Sequence, residues 1–212
     1  MIGFSKNTYL IACNSYIYLF SLYGRTVMYH VAYVMKFASG NKFLFLHCII
    51  HLDMEKFILD TEVIVLTYNE LNSSQLKLVE TAFKACENSY SPYSEFSVGS
   101  SLEFEDGEIF QANNQENAAY PSGLCAERTL LFYAKANNPH KEIKRMVIAA
   151  KNHGKATKQP VSPCGACRQV MLETANRQNS PIELLLAGAD KVYMIKDVKT
   201  LLPLQFNAES LK

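Results

Sequence analysis

The sequence has almost no net charge: 21 lysines and arginines stand against 20 aspartates and glutamates, a formal +1. Recognition of a polyanion leaves a basic footprint. Its absence excludes nucleic acid as the expected partner and favours a small-molecule substrate. Also missing is a dense, regular cysteine framework of the disulfide-stapled kind. Of the six cysteines, Cys164 and Cys167 form a C-x-x-C, and Cys125 stands two residues before Glu127. That grouping reads as thiolates kept reduced for a metal, which implies a cytoplasmic protein. From Met54 onward there is no repeat, no low-complexity tract and no long linker. At 212 residues, 49% hydrophobic and 19% charged, the chain suits one well-packed domain and not two.

Charge is scarcest at the start. Residues 1–53 hold Lys6, Arg25, Lys36, Lys42 and a single acid, Asp53, which leaves 17 basic and 19 acidic residues to 54–212. Asn7 to Gly24 is an 18-residue stretch with no formal charge. Three readings compete for it. A membrane span wants about 20 mostly apolar residues, and Asn7, Thr8, Asn14, Ser15 and Ser21 dilute this run. A secretory signal wants a small-x-small cleavage site, which does not follow it, and export would place metal thiolates in an oxidising compartment. The third and preferred reading is a dispensable extension, upstream sequence read in frame before a start at Met54. The expected division is therefore 1–53, a hydrophobic N-terminal extension outside the mature protein, and 54–212, the functional domain, with no membrane association.

Within 54–212 the local signals alternate between helix and strand. Leu76, Val79, Phe83 and Cys86 recur at helical spacing after Ser73 and Ser74, which predicts a helix from Ser74 to Asn88. Val98 to Phe104 and Glu108 to Ala112 flank Glu105-Asp106-Gly107, a hairpin signal. Cys125 to Ala136 reads as a helix stopped at Asn137-Asn138-Pro139. Met146 to Ala150 suits a buried strand, Lys151 to Ser162 a loop, and a third helix begins at Cys164. Ile182 to Ala187 and Val192 to Ile195 are two further strands, and Val198 to Leu202 a last short helix. The sum is an α/β layered fold on a mixed sheet.

A catalytic zinc keeps one coordination position for water by using three protein ligands, and Cys125, Cys164 and Cys167 fit that count. Cys164 and Cys167, three apart at a helix start, present their thiols on one face. Cys125 opens another helix. Three thiolates around a divalent ion leave a net −1, which the partial positive charge of two helix N-termini and the guanidinium of Arg128 offset by donating toward sulfur. Glu127, two residues from Cys125, reaches a water at the metal without ligating it, the placement of a general acid and base. A structural zinc or two buried thiols would explain a lone C-x-x-C. They do not explain the third thiol, the glutamate, the arginine and the proline before Cys164 together. Cys13, Cys48 and Cys86 read as buried residues. His30, His47, His51, His140 and His153 fall in no ligand spacing.

Three blocks, SPYSEFSVG at Ser91 to Gly99, NQENAAYPSGLCAER at Asn114 to Arg128 and SPCGACRQV at Ser162 to Val170, make the chain from Tyr68 onward resemble the small single-domain cytidine deaminases. Residues 1–53 have no counterpart there. The resemblance implies a three-layer α/β/α fold with a five-stranded mixed sheet, one Zn2+ per subunit and a homotetramer. It implies hydrolytic deamination of cytidine and deoxycytidine, in pyrimidine salvage, with Glu127 moving the protons. Asn114 and Glu116 would hold the ribose hydroxyls, Phe96 would pack on the pyrimidine, and backbone at Ala126 and at Cys164 to Gly165 would read the base. Phe206 would reach the base of a neighbouring subunit. Two alternatives stay open: a deaminase of blasticidin-type antibiotics, against which the N-x-E segment weighs, and a silent zinc-binding protein, against which Glu127 weighs.

Overall fold

The computed structural model describes residues 57–212 throughout and, before them, the backbone of residues 8–13, 16–23, 26–35 and 44–52. The chain divides into two compact units at Ile58 and Leu59. In the first, strands β1 (Thr8–Cys13), β2 (Tyr16–Tyr23), β3 (Thr26–Met35) and β4 (Leu44–Leu52) form an antiparallel sheet in sequence order. The candidate membrane run from Asn7 to Gly24 thus carries two strands, consistent with its four tyrosines, two isoleucines and Phe20. Among the described residues no helix is long and apolar enough to cross a membrane.

The second unit holds β5 (Ile64–Leu66), α1 (Ser73–Ala85), β6 (Phe96–Phe104), β7 (Ile109–Asn113), α2 (Ala126–Asn137), β8 (Ile143–Asn152), β9 (Lys155–Ala156), α3 (Gly165–Gln178), β10 (Glu183–Ala187) and β11 (Val192–Ile195). The sheet order is β5-β11-β10-β8-β6-β7, with β9 paired to β8. Only β8 and β10 run parallel; the other pairs are antiparallel, so the sheet is mixed as expected. The expected count of five strands is corrected to seven. β5 has three residues and β9 two, too few for an alternating pattern to register. β9 also interrupts the expected loop from Lys151 to Ser162.

Alternation along the central strands explains the three layers. Met146 and Ile148 of β8 and Leu184 and Leu186 of β10 pack with Leu130 of α2 and Met171 of α3. Val147, Ala149, Leu185 and Ala187 turn the other way, onto Leu78, Val79 and Ala82 of α1. A strand covered on both faces reads as a continuous apolar run, which is why Met146 to Ala150 is legible without alternation. Each large side chain buried in this way stabilises the fold by about 1.5–3 kcal/mol. The Asp106-Gly107 signal closes the β6–β7 hairpin, with Gly107 at φ 85° and its N–H on the Phe104 carbonyl at 2.9 Å. Gly99 lets α1 lie directly on β6: a Cβ there would stand 2.0 Å from the Ala82 carbonyl oxygen.

Candidate active site

Cys125 and Cys164 are the N-cap residues of α2 and α3, one position before the helices expected to start at them, and neither thiol caps its helix. Their sulfurs are left free to face each other across the two helix starts. The Cys125 and Cys164 Sγ atoms are 3.9 Å apart, and those of Cys164 and Cys167 3.4 Å. All three lie within 4.8 Å of one another, and among the described residues no other trio of His, Cys, Asp or Glu side chains is so placed. Zinc at about 2.3 Å from each sulfur would hold tetrahedral thiolates roughly 3.8 Å apart. The donor set and its spacing fit that ion.

The electrostatics favour ionisation at one corner. Hydrogen bonding from Cys167, then from Arg128 and Cys164, pulls the Cys125 thiol down to about 5, against the opposing effect of burial. Cys167, fully buried and serving as donor to Cys125, is pushed far up. Metal binding needs all three as thiolates and releases the protons they hold. Arg128 donates from Nη2 to the Cys125 sulfur at 3.8 Å, the contact expected from its place beside Glu127. Its Nε is buried with no protein partner.

Glu127 sits in the first turn of α2, only 4% exposed. Burial raises its carboxyl above the usual range, and the charge on Cys125 adds to the rise. A cleft of about 560 Å³ opens over this group, with Cys125, Glu127, Arg128 and Cys164 among its lining. Asn114, Glu116, Val98 and Tyr120 line it as well. The volume is of the size that takes a small organic ligand.

The segment from Asn114 to Glu116 is pinned on both sides. Tyr90 N–H donates to the Asn114 carbonyl and Glu116 N–H to the Tyr90 carbonyl, at 3.1 and 2.8 Å. Asn114 Oδ1 accepts from Ser89 Oγ at 2.6 Å and from Val98 N–H at 2.8 Å, while Nδ2 donates to the Phe96 carbonyl at 2.9 Å. Glu116 accepts from Tyr93 N–H, Ser94 N–H and the Ser94 hydroxyl. Those bonds, the Ser94 hydroxyl's first, hold its carboxyl below the usual range.

The other expected site residues lie differently. Phe96, half-buried at the first position of β6, is outside the lining, where Val98 on the same strand face takes the wall. Ala126 is fully buried at the start of α2. Phe206 is 60% exposed, with its carbonyl accepting from Gln169 Nε2 at 2.9 Å. Cys86 is buried as expected, and His153 meets Glu95 on the surface. Cys13, Cys48, His30, His47 and His51 lie outside the residues whose side chains are described. Ser94, Tyr93, Val98 and Tyr120 were not singled out by sequence reasoning. They fall in or near two of the quoted blocks, but only through-space contact gives them their parts.

A family model for the cytidine and deoxycytidylate deaminase zinc-binding region matches residues 72–179. The chain is 41% identical over 137 residues to a cytidine deaminase of Sporosarcina psychrophila, covering 64% of this chain and 93% of that protein. It is 38% identical over 134 residues to one from Halalkalibacterium halodurans, covering 63% and 95%. A crystal structure of cytidine deaminase from Burkholderia pseudomallei superposes with a TM-score of 0.52 at 38% identity, covering 61% of this chain and 97% of that one. The matched stretch from 72 to 179 takes in the whole thiol cluster together with Glu127. On that breadth of match the chain belongs to the zinc-binding cytidine and deoxycytidylate deaminase family.

Proposed function

We propose that this chain is a zinc-dependent hydrolase that converts cytidine and deoxycytidine to uridine and deoxyuridine with release of ammonia, a step of pyrimidine salvage. One observation carries the reading: the buried Glu127 carboxyl and the Cys125 and Cys164 thiols open onto a single cleft that also reaches Asn114 and Glu116. Cys125, Cys164 and Cys167 would hold the metal, which when bound supplies a Lewis acid that makes water nucleophilic at neutral pH.

The proton work falls to Glu127. Its carboxylate takes a proton from the attacking water and gives it to N3 as the water oxygen bonds to C4. A second proton then passes through the same carboxyl to the exocyclic amine. The C4–N bond breaks, ammonia leaves and the C4 carbonyl of the uridine product remains. A carboxyl raised by burial suits both halves of this task, because its protonated and ionised forms lie closer in energy near neutrality.

Asn114 and Glu116 are the proposed ribose contacts, and their existing bonds fix what each has left to offer. Both lone pairs of Asn114 Oδ1 are engaged, so the side chain has one N–H to donate. Glu116 stays ionised and keeps acceptor capacity beyond its three donors. A sugar hydroxyl complements the pair by accepting from one and donating to the other. The pyrimidine would rest against Val98 on β6, with Phe96 behind it on the same strand face, and the free N–H groups at the starts of α2 and α3, near Ala126 and Gly165, would read the base.

The assembly is proposed to be a cytoplasmic homotetramer in which the exposed Phe206 reaches a neighbouring subunit's cleft, and residues 1–53 an extension that the mature enzyme lacks. Ultraviolet assays of the purified protein with cytidine, deoxycytidine, blasticidin S and guanine test the substrate. Turnover of the first two alone is expected, and turnover confined to blasticidin S would overturn the reading. Native mass spectrometry of the protein from its own cells should give four copies beginning at Met54; a monomer, or peptides from before Met54, would contradict the assembly and the extension respectively.

A further inference from the structure

Two residues without a part in the proposed chemistry, Glu95 and His153, meet at the end of a sheet ladder. Phe96 opens β6 opposite Asn152, the last residue of β8. One position further, His153 N–H donates to the Glu95 carbonyl at 3.2 Å, and His153 Nδ1 meets the Glu95 carboxylate. Both residues hold left-handed backbone, with φ 54° at Glu95 and 46° at His153. At His153 it belongs to the tight β8–β9 turn shared with Gly154; at Glu95 it closes the turn that begins at Ser91, and there it is costly and persists because the surroundings impose it. Here both strands leave the ladder at the same rung, and the two side chains close over it.

Each chain direction from this rung leads to the cleft. Backward from Glu95 lies a tight turn, with Glu95 N–H on the Ser91 carbonyl at 3.0 Å. Inside it Ser94 Oγ accepts from Phe96 N–H at 3.1 Å and donates to Glu116 at 2.5 Å, and Tyr93 N–H donates to Glu116 at 2.9 Å. Forward from His153 the chain passes through β9 to Val161 and Ser162, which line the cleft with Tyr93 and Ser94. We infer that the Glu95–His153 pair is a latch that fixes the turn over 91–95 and, through it, the direction of the Glu116 carboxylate. Glu95 and His153 are thus positioning residues for the sugar, not catalytic ones.

An exposed ion pair ordinarily contributes little, because two long side chains must be ordered to form it. In this case the backbone bond has already set the two residues side by side. Little further freedom is lost when imidazole and carboxylate meet. The inference rests on the ribose role proposed for Glu116, so its test needs one readout that involves no substrate.

Glu95→Gln and His153→Gln should each raise KM for cytidine about two- to fivefold, the range of an exposed pair, with kcat unchanged. The double variant should do no worse than either single one. Glu95→Gly, which takes left-handed backbone without strain but has no carboxylate, should show the same rise. Lys196→Gln, which breaks the similarly exposed Glu62–Lys196 pair elsewhere on the surface, should leave KM alone. Hydrogen exchange at the Tyr93 and Ser94 amides should speed up in the Glu95 and His153 variants and stay as in the parent in Lys196→Gln. Parent-like KM and exchange in both single variants would overturn the latch, as would a fall in kcat with KM unchanged. If the parent itself ignores cytidine, the proposed substrate fails and exchange alone decides the latch.

Discussion

At the scale of single residues, the site is a problem of excess negative charge. With metal bound, three thiolates and the Glu127 carboxyl would crowd the starts of two helices, and the Arg128 guanidinium lies on the Cys125 sulfur. Its effect is visible in Cys125, which Cys167 and then Arg128 hold as a thiolate well below the ordinary thiol range. Partners of this kind outside the ligand set typically change affinity or activity by about 10- to 100-fold. Arg128→Gln should therefore lose zinc more readily in a chelator titration and turn over about 10- to 100-fold more slowly; unchanged zinc retention and turnover would remove the arginine from the account. Cys125, Glu127, Arg128, Cys164 and Cys167 were legible because ligand spacing is local and helix starts are recognisable. The bond from Ser94 to Glu116 spans 22 residues and that from His153 to Glu95 spans 58. No local pattern encodes either, so both needed the fold.

Elements were legible in proportion to their length and packing. α1, α2 and α3 carry apolar faces over 12 to 14 residues, and the central strands carry apolar runs. β5 is too short to show a period. β9 forms because His153 and Gly154 both take positive φ, and a histidine before glycine is a weaker turn signal than the Asp106-Gly107 pair. Among the described glycines the closest backbone approach between elements is at Gly99, where a Cβ would meet the Ala82 carbonyl oxygen at 2.0 Å and the Cys86 nitrogen at 2.8 Å. Backbone cannot rotate aside as a side chain can. Gly99→Ala should thus cost at least the roughly 1–3 kcal/mol of ordinary overpacking. A lower urea midpoint at unchanged slope reports that loss, and a midpoint equal to the parent's would mean that α1 and β6 are less tightly seated than described.

Over the whole molecule, the sparse charge of residues 1–53 marked a composition break, and the structure divides close to it, at Ile58. The strands of that first unit were not legible, because an uncharged apolar run suits a span, a signal or a strand alike, although its aromatic and branched residues favour strands. The family match lies entirely within the second unit, at residues 72–179. Arg145 lies between Glu103 at 3.3 Å and Glu183 at 3.0 Å, in keeping with the rule that buried charges are paired. The activity proposed for the molecule then depends on the buried Glu127 carboxyl beside the thiol cluster. The direct test is zinc content and cytidine turnover measured together on Glu127→Ala. The account predicts zinc retained as in the parent and turnover reduced by about 10² to 10⁴ or more; near-parent turnover with zinc in place would contradict it.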